Sequence, residues 1–270
     1  MDFYIKRFDM RQIHNNNKIL FIGKTQTGKS TLIKDLLYHK RKIEAGVCIA
    51  GTQEGICDYA KIMPRIAIFD EYDKKIIRNL IKSQRRDEQM NRRHHRYFVM
   101  DDCIYDKSWI KHKEMRYMFY NSRHDDILFL LSLQAPLAIP PDLRGNIDYI
   151  FILRDSILAN RERLWKHYAG MFENFQTFCN VMDQCTENYE CLVIKNNCQS
   201  NRFEDQVFFY KAELHENFKI GSPEFWKYHK QHYNANYETE QADRMFEETD
   251  SDKPKHKKVT KKAFYRGAAG

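Results

Sequence analysis

The feature that most constrains the fold of this chain is a short glycine-lysine motif near its start. Residues 23–30 read GKTQTGKS and match the pattern Gly-x-x-x-x-Gly-Lys-[Ser/Thr]. The apolar run KILFI at 18–22 precedes the motif, and the segment at 32–40 follows it with apolar residues at helical spacing. A glycine loop between a strand and a helix is the context that a phosphate-binding loop requires. The motif therefore predicts a P-loop within an α/β fold.

Each residue type in the motif has a chemical reason. The glycines let backbone N–H groups wrap around phosphates, and the helix N-terminus adds positive potential. Lys29 reaches the β- and γ-phosphates, and the Ser30 hydroxyl ligates magnesium. A glycine turn with a surface lysine is the alternative, and the correct flanks on both sides argue against it. We expect ATP and Mg²⁺ as cofactors, bound by Gly23, Lys24, Thr25, Gln26, Thr27, Gly28, Lys29, Ser30 and Thr31.

Five further apolar runs have the length of buried strands. Helix-like or polar segments separate them, which favours a largely parallel sheet with helices on both faces. The chain has 270 residues, of which 42% are hydrophobic, so it can form one substantial core with additions. The runs lie at 46–52, 65–69, 97–100, 127–133 and 149–153.

The pattern changes after residue 154. The next segment reads as one or two helices, and the runs YECLVIK and DQVFFYKAEL that follow are typical of a hairpin. Ser222 and Pro223 are typical of an N-cap and a first helical position. Beyond residue 236 the sequence is polar and then basic, as in flexible chains. The predicted units are a P-loop ATPase core at 1–155, a C-terminal α+β addition at 156–235 and a basic disordered tail at 236–270.

Two of the apolar runs end in acidic pairs. YFVM is followed by Asp101 and Asp102, and RIAIF is followed by Asp70 and Glu71. A nucleotide-bound Mg²⁺ needs a carboxylate at the end of a strand near the P-loop. We choose the first pair because a helix-like segment and another buried strand, ending at Gln134, follow it. Asp101 is predicted to hold the metal and Asp102 to deprotonate the attacking water, whereas the second pair reads as an acidic helix start.

The positive charge of the chain is concentrated in two segments. The formal net charge is +8, and the tail at 251–270 carries six Lys and one Arg against one Asp. The segment at 82–96 carries six Lys or Arg against two acidic residues. Either segment can bind nucleic-acid phosphates. Alternatively, the segment at 82–96 is a solvated helix face and the tail at 251–270 only keeps the protein in solution. For a charge run taken alone, these alternatives are favoured.

The cysteines and apolar stretches restrict the compartment. The chain has seven cysteines and no signal peptide at its start, which favours a reducing intracellular compartment. The longest apolar stretch is too short to span a bilayer, so we expect a soluble protein. Four cysteines lack the Cys-x-x-Cys spacing of structural zinc sites, and we interpret them as reduced thiols with a metal site as a minor alternative. They are Cys179, Cys185, Cys191 and Cys198.

Several of these elements together resemble one family. They are FIGKTQTGKST, YFVMDDC, FYNSRHDDILFLLSLQAP and IPPDLRGNIDYIFILRD, which span roughly residues 18–155. The chain thereby resembles the genome-packaging ATPases of nucleocytoplasmic large DNA viruses, the poxvirus-type members of the FtsK-HerA superfamily. The P-loop is shared by many families, whereas the Asn-x-Arg-His element and the later Pro-Asp-Leu-Arg-x-Asn element are more specific.

The resemblance implies a RecA/FtsK-like ATPase that acts as a homo-oligomeric ring and pumps double-stranded DNA into a preformed capsid. Capsid or inner-membrane assembly proteins would be its partners, at viral assembly sites in the host cytoplasm, with association with the virion as an alternative. By the same likeness Gln134 is the residue that senses the γ-phosphate, and Arg123 and Arg144 are candidates for an arginine finger from the adjacent subunit. The superfamily often has an Asp-Glu pair where this chain has Asp101 and Asp102. The shorter side chain of Asp102 is therefore a departure from the superfamily pattern.

Other functions remain open at this stage. A small-molecule or nucleotide kinase also has a P-loop, but it needs an acceptor site and a lid. A GTPase is disfavoured because the chain has no Asn-Lys-x-Asp element that reads the base. A capsid-assembly scaffold that uses nucleotide as a structural ligand is the non-enzymatic alternative.

Overall fold

The computed structural model describes residues 4–103 and 107–234 of the chain. Within them, nine strands form one sheet in the order β1-β9-β8-β7-β2-β6-β5-β3-β4, and β8 is antiparallel to both of its neighbours while the other pairs are parallel. The strands are β1 Lys6–Arg7, β2 Lys18–Ile22, β3 Ala45–Ala50, β4 Ile68–Phe69, β5 Arg96–Asp101, β6 Ile127–Leu133, β7 Tyr149–Ile152, β8 Glu190–Lys195 and β9 Val207–Lys211.

Helices connect most of these strands and cover both faces of the sheet. The α-helices are α1 Lys29–His39, α2 Gln53–Ala60, α3 Lys74–Gln89, α4 Lys113–Asn121, α5 Pro141–Arg144, α6 Leu158–Tyr168, α7 Phe175–Cys185, α8 Phe203–Gln206 and α9 Pro223–His232. Short 3₁₀ helices lie at Met10–Gln12, Arg65–Ala67, Lys107–Lys111 and Pro136–Ala138. The predicted mostly parallel α/β sheet flanked by helices is confirmed.

The central strand shows why the sheet is buried on both faces. All five residues of β2 are buried. Leu20 and Ile22 pack into the core on one face, and Ile19 and Phe21 pack into the core on the other. Side chains of successive strand residues point to opposite faces, so a continuous apolar run can fill two cores at once.

The parallel arrangement brings several strand ends together. β2 lies between β6 and β7, and Ile22 pairs with Leu133 on one side and Ile152 on the other. β6 in turn separates β2 from β5. The residues that follow β2, β5, β6 and β7 therefore meet at the carboxyl edge of the sheet, where open α/β sheets bind ligands.

Two local predictions need correction. The run at 65–69 forms a strand only at Ile68–Phe69, because Arg65–Ala67 is a 3₁₀ helix that follows Pro64. The helix after it begins at Lys74 with Asp73 as its N-cap, so Asp70 and Glu71 precede the first turn. The predicted cap of the last described helix is present, since the Phe225 N–H donates to Ser222 Oγ at 3.2 Å.

The residues from Met1 to Gln231 form one compact unit, and a second unit, His232–Gly270, lies almost entirely outside the described residues. The hairpin of β8 and β9 extends the same sheet beyond β7. The predicted division near residue 155 stays a prediction, and the predicted basic tail lies outside the described residues. Within the described ranges, no helix combines the length and the apolar character needed to cross a bilayer.

Candidate active site

The P-loop runs from the end of β2 into α1. Gly28 has φ of 102° and directly precedes α1, a backbone conformation that favours glycine. Gly23 is required for space, since a Cβ there would lie 2.6 Å from Thr27 Oγ1 and 2.8 Å from Leu153 Cβ. The Gly23 N–H also donates to Leu133 O at 3.0 Å, which ties the loop to β6. Both glycines of the motif therefore have a structural reason.

The Lys29 side chain lies over the loop. Its ammonium group donates to Gly23 O at 2.9 Å and to Lys24 O at 2.8 Å. Lys29 is 6% exposed, and burial lowers its pKa, while Asp102 and Asp101 act in the opposite direction. A desolvated ammonium group binds a phosphate more strongly than the neutral carbonyls, because the phosphate adds an opposite charge to the hydrogen bond.

Asp101 is the last residue of β5 and is 4% exposed. The Ser132 hydroxyl donates to Asp101 Oδ1 at 2.5 Å, and the Tyr59 hydroxyl donates to Asp101 Oδ2 at 2.8 Å. Burial and the nearby Asp101 carboxylate raise the pKa of Tyr59 well above its usual range, so the phenol stays protonated as a donor. Two hydroxyl groups from β6 and α2 thus fix the orientation of this carboxylate.

Asp102 and Gln134 are in direct contact. Asp102 has φ of 49°, a left-handed conformation that Asp tolerates better than most residues. Its N–H donates to Ser132 Oγ at 3.0 Å, and the Gln134 side-chain amide donates to Asp102 Oδ1. Because β6 lies between β2 and β5, the structure brings the predicted water-activating and sensing residues together beside the P-loop.

A cavity of about 600 Å³ lies over these groups. P-loop residues, Asp101 and Asp102 line it together with Tyr189, Lys211 and Leu214. The Ser30 hydroxyl and the Asp101 carboxylate are oxygen donors of the kind that Mg²⁺ binds, and both line this cavity. Its volume lies within the usual range of small-molecule sites.

The second acidic pair lies elsewhere. Asp70 and Glu71 are exposed and follow β4, which is the edge strand of the sheet. The strands β3, β5 and β6 lie between β4 and the P-loop strand. Neither acidic residue lines the cavity over the P-loop.

The two arginines predicted as finger candidates both have intramolecular partners. Arg123 pairs with Asp148, a buried residue next to the amino end of β7. Arg144 donates from Nε to Ile139 O at 2.8 Å, and its guanidinium lies 5.5 Å from the centre of the Tyr168 ring. Arg123 therefore has a clear structural role at the edge of the sheet opposite the P-loop, and Arg144 is held half-buried at the end of α5.

Several residues near the site were not predicted from the sequence. Ser132 was detectable as the one polar residue within the apolar run ILFLLSL. Tyr59 gives no local signal, because its contact with Asp101 depends on how α2 packs. Tyr189 is 70% exposed, has φ of 63° and lies beside Gly28 in the cavity. Arg154 is exposed just past the carboxyl end of β7.

The basic segment at 82–96 lies on α3 and in the turn before β5. Arg96 pairs with Asp87, and Arg93 pairs with Asp126 at 2.7 Å. Part of its charge is therefore balanced within the fold.

All seven cysteines are free thiols. Burial raises the pKa of Cys103, which follows Asp101 and Asp102, to about 12.

The fold and the glycine loop between β2 and α1 define the P-loop NTPase class of α/β folds. No family model matches the chain. The uncharacterized protein L437 of Acanthamoeba polyphaga mimivirus is 33% identical over 258 residues, which cover 92% of this chain and 90% of the relative. The uncharacterized protein 075L of Invertebrate iridescent virus 6 is 36% identical over 250 residues, which cover 87% and 97%. The chain belongs to this family of nucleocytoplasmic large DNA virus proteins.

A solved structure shares the fold. The DNA-packaging ATPase B204 of Sulfolobus turreted icosahedral virus superposes with a TM-score of 0.54 at 14% sequence identity, over 75% of this chain and all of that chain. B204 from Sulfolobus turreted icosahedral virus 2 has been solved in complex with ATP-γS and with AMPPCP. At this identity the likeness shows a common fold.

Proposed function

We propose that this protein is a Mg²⁺-dependent ATPase that moves viral double-stranded DNA into the capsid. One observation carries the proposal: Lys29, Asp101 and Asp102 line a single cavity at the carboxyl edge of the sheet, with Gln134 bonded to Asp102. This set contains the parts that phosphoryl transfer to water requires. The membership in a family of large DNA virus proteins and the fold shared with B204 support the packaging role.

Each side chain has a distinct part in hydrolysis. Lys29 would turn from the loop carbonyls to the phosphates, and Ser30 and Asp101 would hold Mg²⁺, which neutralises the charge on the transferred phosphoryl group. Asp102 would orient and deprotonate the attacking water through Oδ2, since Gln134 bonds its Oδ1. Through the same hydrogen bond, Gln134 would sense whether the γ-phosphate is present beside Asp102.

The apolar side chains that line the cavity suit the nucleoside. Tyr189 and Leu214 are 70% and 84% exposed, although both are large apolar side chains that line the cavity. An aromatic ring beside the phosphate loop can stack on a base, and stacking accepts any base because each has a π-face. Tyr189 and Leu214 would therefore provide affinity for the nucleotide.

The motor would be a homo-oligomeric ring, pentameric or hexameric, of the FtsK-HerA type, working at viral assembly sites in the host cytoplasm beside capsid or inner-membrane assembly proteins. Double-stranded DNA would contact basic groups such as Lys82, Arg86 and Arg92, and the tail at 251–270. Deletion of 251–270 should weaken DNA binding and flatten its salt dependence, while turnover without DNA is unchanged.

The test is ATP turnover and triplex displacement on linear double-stranded DNA. The wild-type chain should hydrolyse ATP with Mg²⁺, turn over faster with DNA and displace a bound third strand. Lys29→Ala should fold normally and lose at least about 10²-fold in turnover, since it removes charge stabilisation of the transition state. ATP-dependent phosphorylation of a small acceptor without any response to DNA would instead indicate a kinase, and nucleotide binding without turnover would indicate a scaffold.

The ring is tested by mixing subunits. Arg144→Ala subunits keep an intact P-loop, and Lys29→Ala subunits keep an intact arginine, so some interfaces of a mixed ring are complete. An arginine finger supplies about 10³ to 10⁵ in rate, so activity should partly return in a mixture of two inactive variants. Arg123→Ala is the parallel arm, and we expect it mainly to lower stability because it removes the ion-pair partner of the buried Asp148. A fully active Arg144→Ala protein would eliminate this residue as the finger.

A further inference from the structure

A second cluster of chemically competent side chains lies behind the P-loop helix. Asp35 and His39 are one turn apart on α1, and His215 follows β9. The distance from Asp35 Oδ1 to His215 Nε2 is 2.7 Å and that to His39 Nε2 is 3.4 Å. One ligand atom from each residue lies within 4.8 Å of the other two. Two imidazoles and a carboxylate thus converge on one point.

The carboxylate in this cluster needs a positive charge. The Asp35 side chain is 0% exposed. Its partners in the described part of the chain are the Tyr210 hydroxyl at 2.7 Å, the Glu213 N–H at 3.1 Å and the two imidazoles, with no Lys or Arg among them. A buried carboxylate without a cation is costly. A metal ion bound by Oδ1 and the two imidazoles would supply that charge.

We propose that Asp35, His39 and His215 form a binding site for a divalent transition metal of the zinc class. Zinc binds His nitrogen and Asp oxygen at about 2.0 to 2.2 Å, so tetrahedral ligand atoms lie about 3.4 Å apart. The separation between Asp35 and His39 already has this value. The separation between Asp35 and His215 has to open by about 0.7 Å, which replaces their hydrogen bond by two metal bonds.

The surroundings hold the ligands in place. Asp35 Oδ2 accepts from Tyr210 and Glu213, which leaves Oδ1 directed at the two histidines. The His215 ring stacks on Tyr38 with ring centres 3.6 Å apart and an angle of 5° between the planes. Such outer contacts orient metal ligands and tune their affinity. The site is therefore preorganised by groups from α1, from β9 and from the segment after β9.

A route for the ion and a fourth ligand are present. A cavity of about 470 Å³ is lined by Asp35 and His215, and water from it can complete four-coordination. Thr31, Lys34, Asp58 and Leu214 line both this cavity and the one over the P-loop. The metal would join the helix that begins at Lys29 to the segment carrying Leu214, beside the nucleotide cavity. The proposal does not depend on the reaction assigned to that cavity.

The site is tested by titrating Zn²⁺ into the chelator-treated full chain without nucleotide, by calorimetry and thermal unfolding, with Co²⁺ absorption as a probe of the ligands. The wild type should bind one ion per chain with a raised melting temperature and a tetrahedral Co²⁺ spectrum lacking a thiolate band. The double variant His39→Gln, His215→Gln should lose this binding. Tyr210→Phe keeps all three ligands and should weaken it about 10- to 100-fold.

Matched variants exclude the other donors. His167→Gln changes an exposed histidine on α6, and Asp101→Asn changes the acid beside the P-loop, so both should bind Zn²⁺ as the wild type does. Unchanged affinity in the double histidine variant, or a thiolate band in the Co²⁺ spectrum, would overturn the proposal. If the double variant fails to fold, Tyr210→Phe decides: unchanged zinc affinity in that folded variant also overturns it.

Discussion

Strands β4 and β5 belong to the same sheet. Asp70 and Glu71 follow β4, and Asp101 and Asp102 lie at the end of β5, yet the surroundings of the two acidic pairs differ. Asp101 is 4% exposed and accepts hydrogen bonds from Ser132 and Tyr59. Asp70 and Glu71 are exposed at the edge of the sheet. The two sequence runs are similar, so the difference arises from the neighbours of each strand.

The neighbouring strand β6 accounts for most of this difference. It pairs with β5 on one side and β2 on the other, and it provides Ser132 to both aspartates and Gln134 to the second. β4 has β3 as its partner, which carries no P-loop. An acidic pair becomes a candidate site when the adjacent strand supplies its donors and itself lies beside the P-loop strand.

The largest effect is expected from neutralising the acids themselves. Asp102→Asn should lower turnover by about 10²- to 10⁴-fold, the usual contribution of a general base. Asp101→Asn should lower it at least as much by weakening Mg²⁺ binding, because metal stabilisation contributes several kcal/mol. Steady-state ATPase assays over a range of Mg²⁺ concentrations measure both.

The matched controls for these two variants are Asp70→Asn and Glu71→Gln. They should hydrolyse ATP at close to the wild-type rate, since neither residue lines the cavity. Loss of turnover in the controls with normal turnover in the first pair would reverse the comparison and move the site to β4.

A smaller effect is expected from removing the hydroxyl groups that hold Asp101. Ser132→Ala and Tyr59→Phe should each raise the Mg²⁺ concentration for half-maximal turnover by about 10- to 100-fold, as changes around metal ligands do. Tyr72 follows the other acidic pair in sequence and its hydroxyl contacts His112, so Tyr72→Phe should leave the Mg²⁺ dependence unchanged. Equal Mg²⁺ dependence in all three variants would show that these hydroxyls do not orient the carboxylate.

A second comparison lies within the cavity, between the two aspartates and the aromatic ring of Tyr189. Tyr189→Ala should raise the KM for ATP by about 5- to 150-fold with a smaller change in kcat, since base stacking contributes about 1 to 3 kcal/mol. Tyr189→Phe should behave as the wild type because the ring is kept. Tyr228→Ala, an exposed tyrosine on α9, is the control. A kcat effect without a KM effect would contradict the stacking role.

The smallest effects concern the stability of the β4 region. Asp73 caps α3 by accepting from the Lys75 N–H at 2.8 Å, so Asp73→Ala should lower the free energy of unfolding by about 0.5 to 2 kcal/mol. Asp70→Asn should change it by less than about 0.5 kcal/mol, as for ordinary surface positions. Urea denaturation measures both, and a larger loss for Asp70→Asn would show that the cap lies earlier in the chain.

Local patterns were sufficient for most strands of the sheet. The strand at 127–133 and the P-loop strand at 18–22 have the predicted bounds, because a continuous apolar run between polar segments has few alternatives as a buried strand. The weaker run at 65–69 was overestimated, since Pro64 and the 3₁₀ turn after it shorten the strand to two residues. Asp101 and Asp102 were chosen over the other pair by the order of elements along the chain.

The sequence by itself determined the P-loop, the strands and the chemical types available at their ends, because these depend on backbone sterics and on patterns within a few residues. Tertiary structure alone decided which strand ends are neighbours. The contact of Tyr59 with Asp101 and the convergence of Asp35 and His39 with His215 join residues far apart in the chain. Such contacts follow from strand order and helix packing. One local sequence pattern is compatible with several strand orders and helix packings. The physical reason is that burial and charge pairing are properties of the assembled sheet.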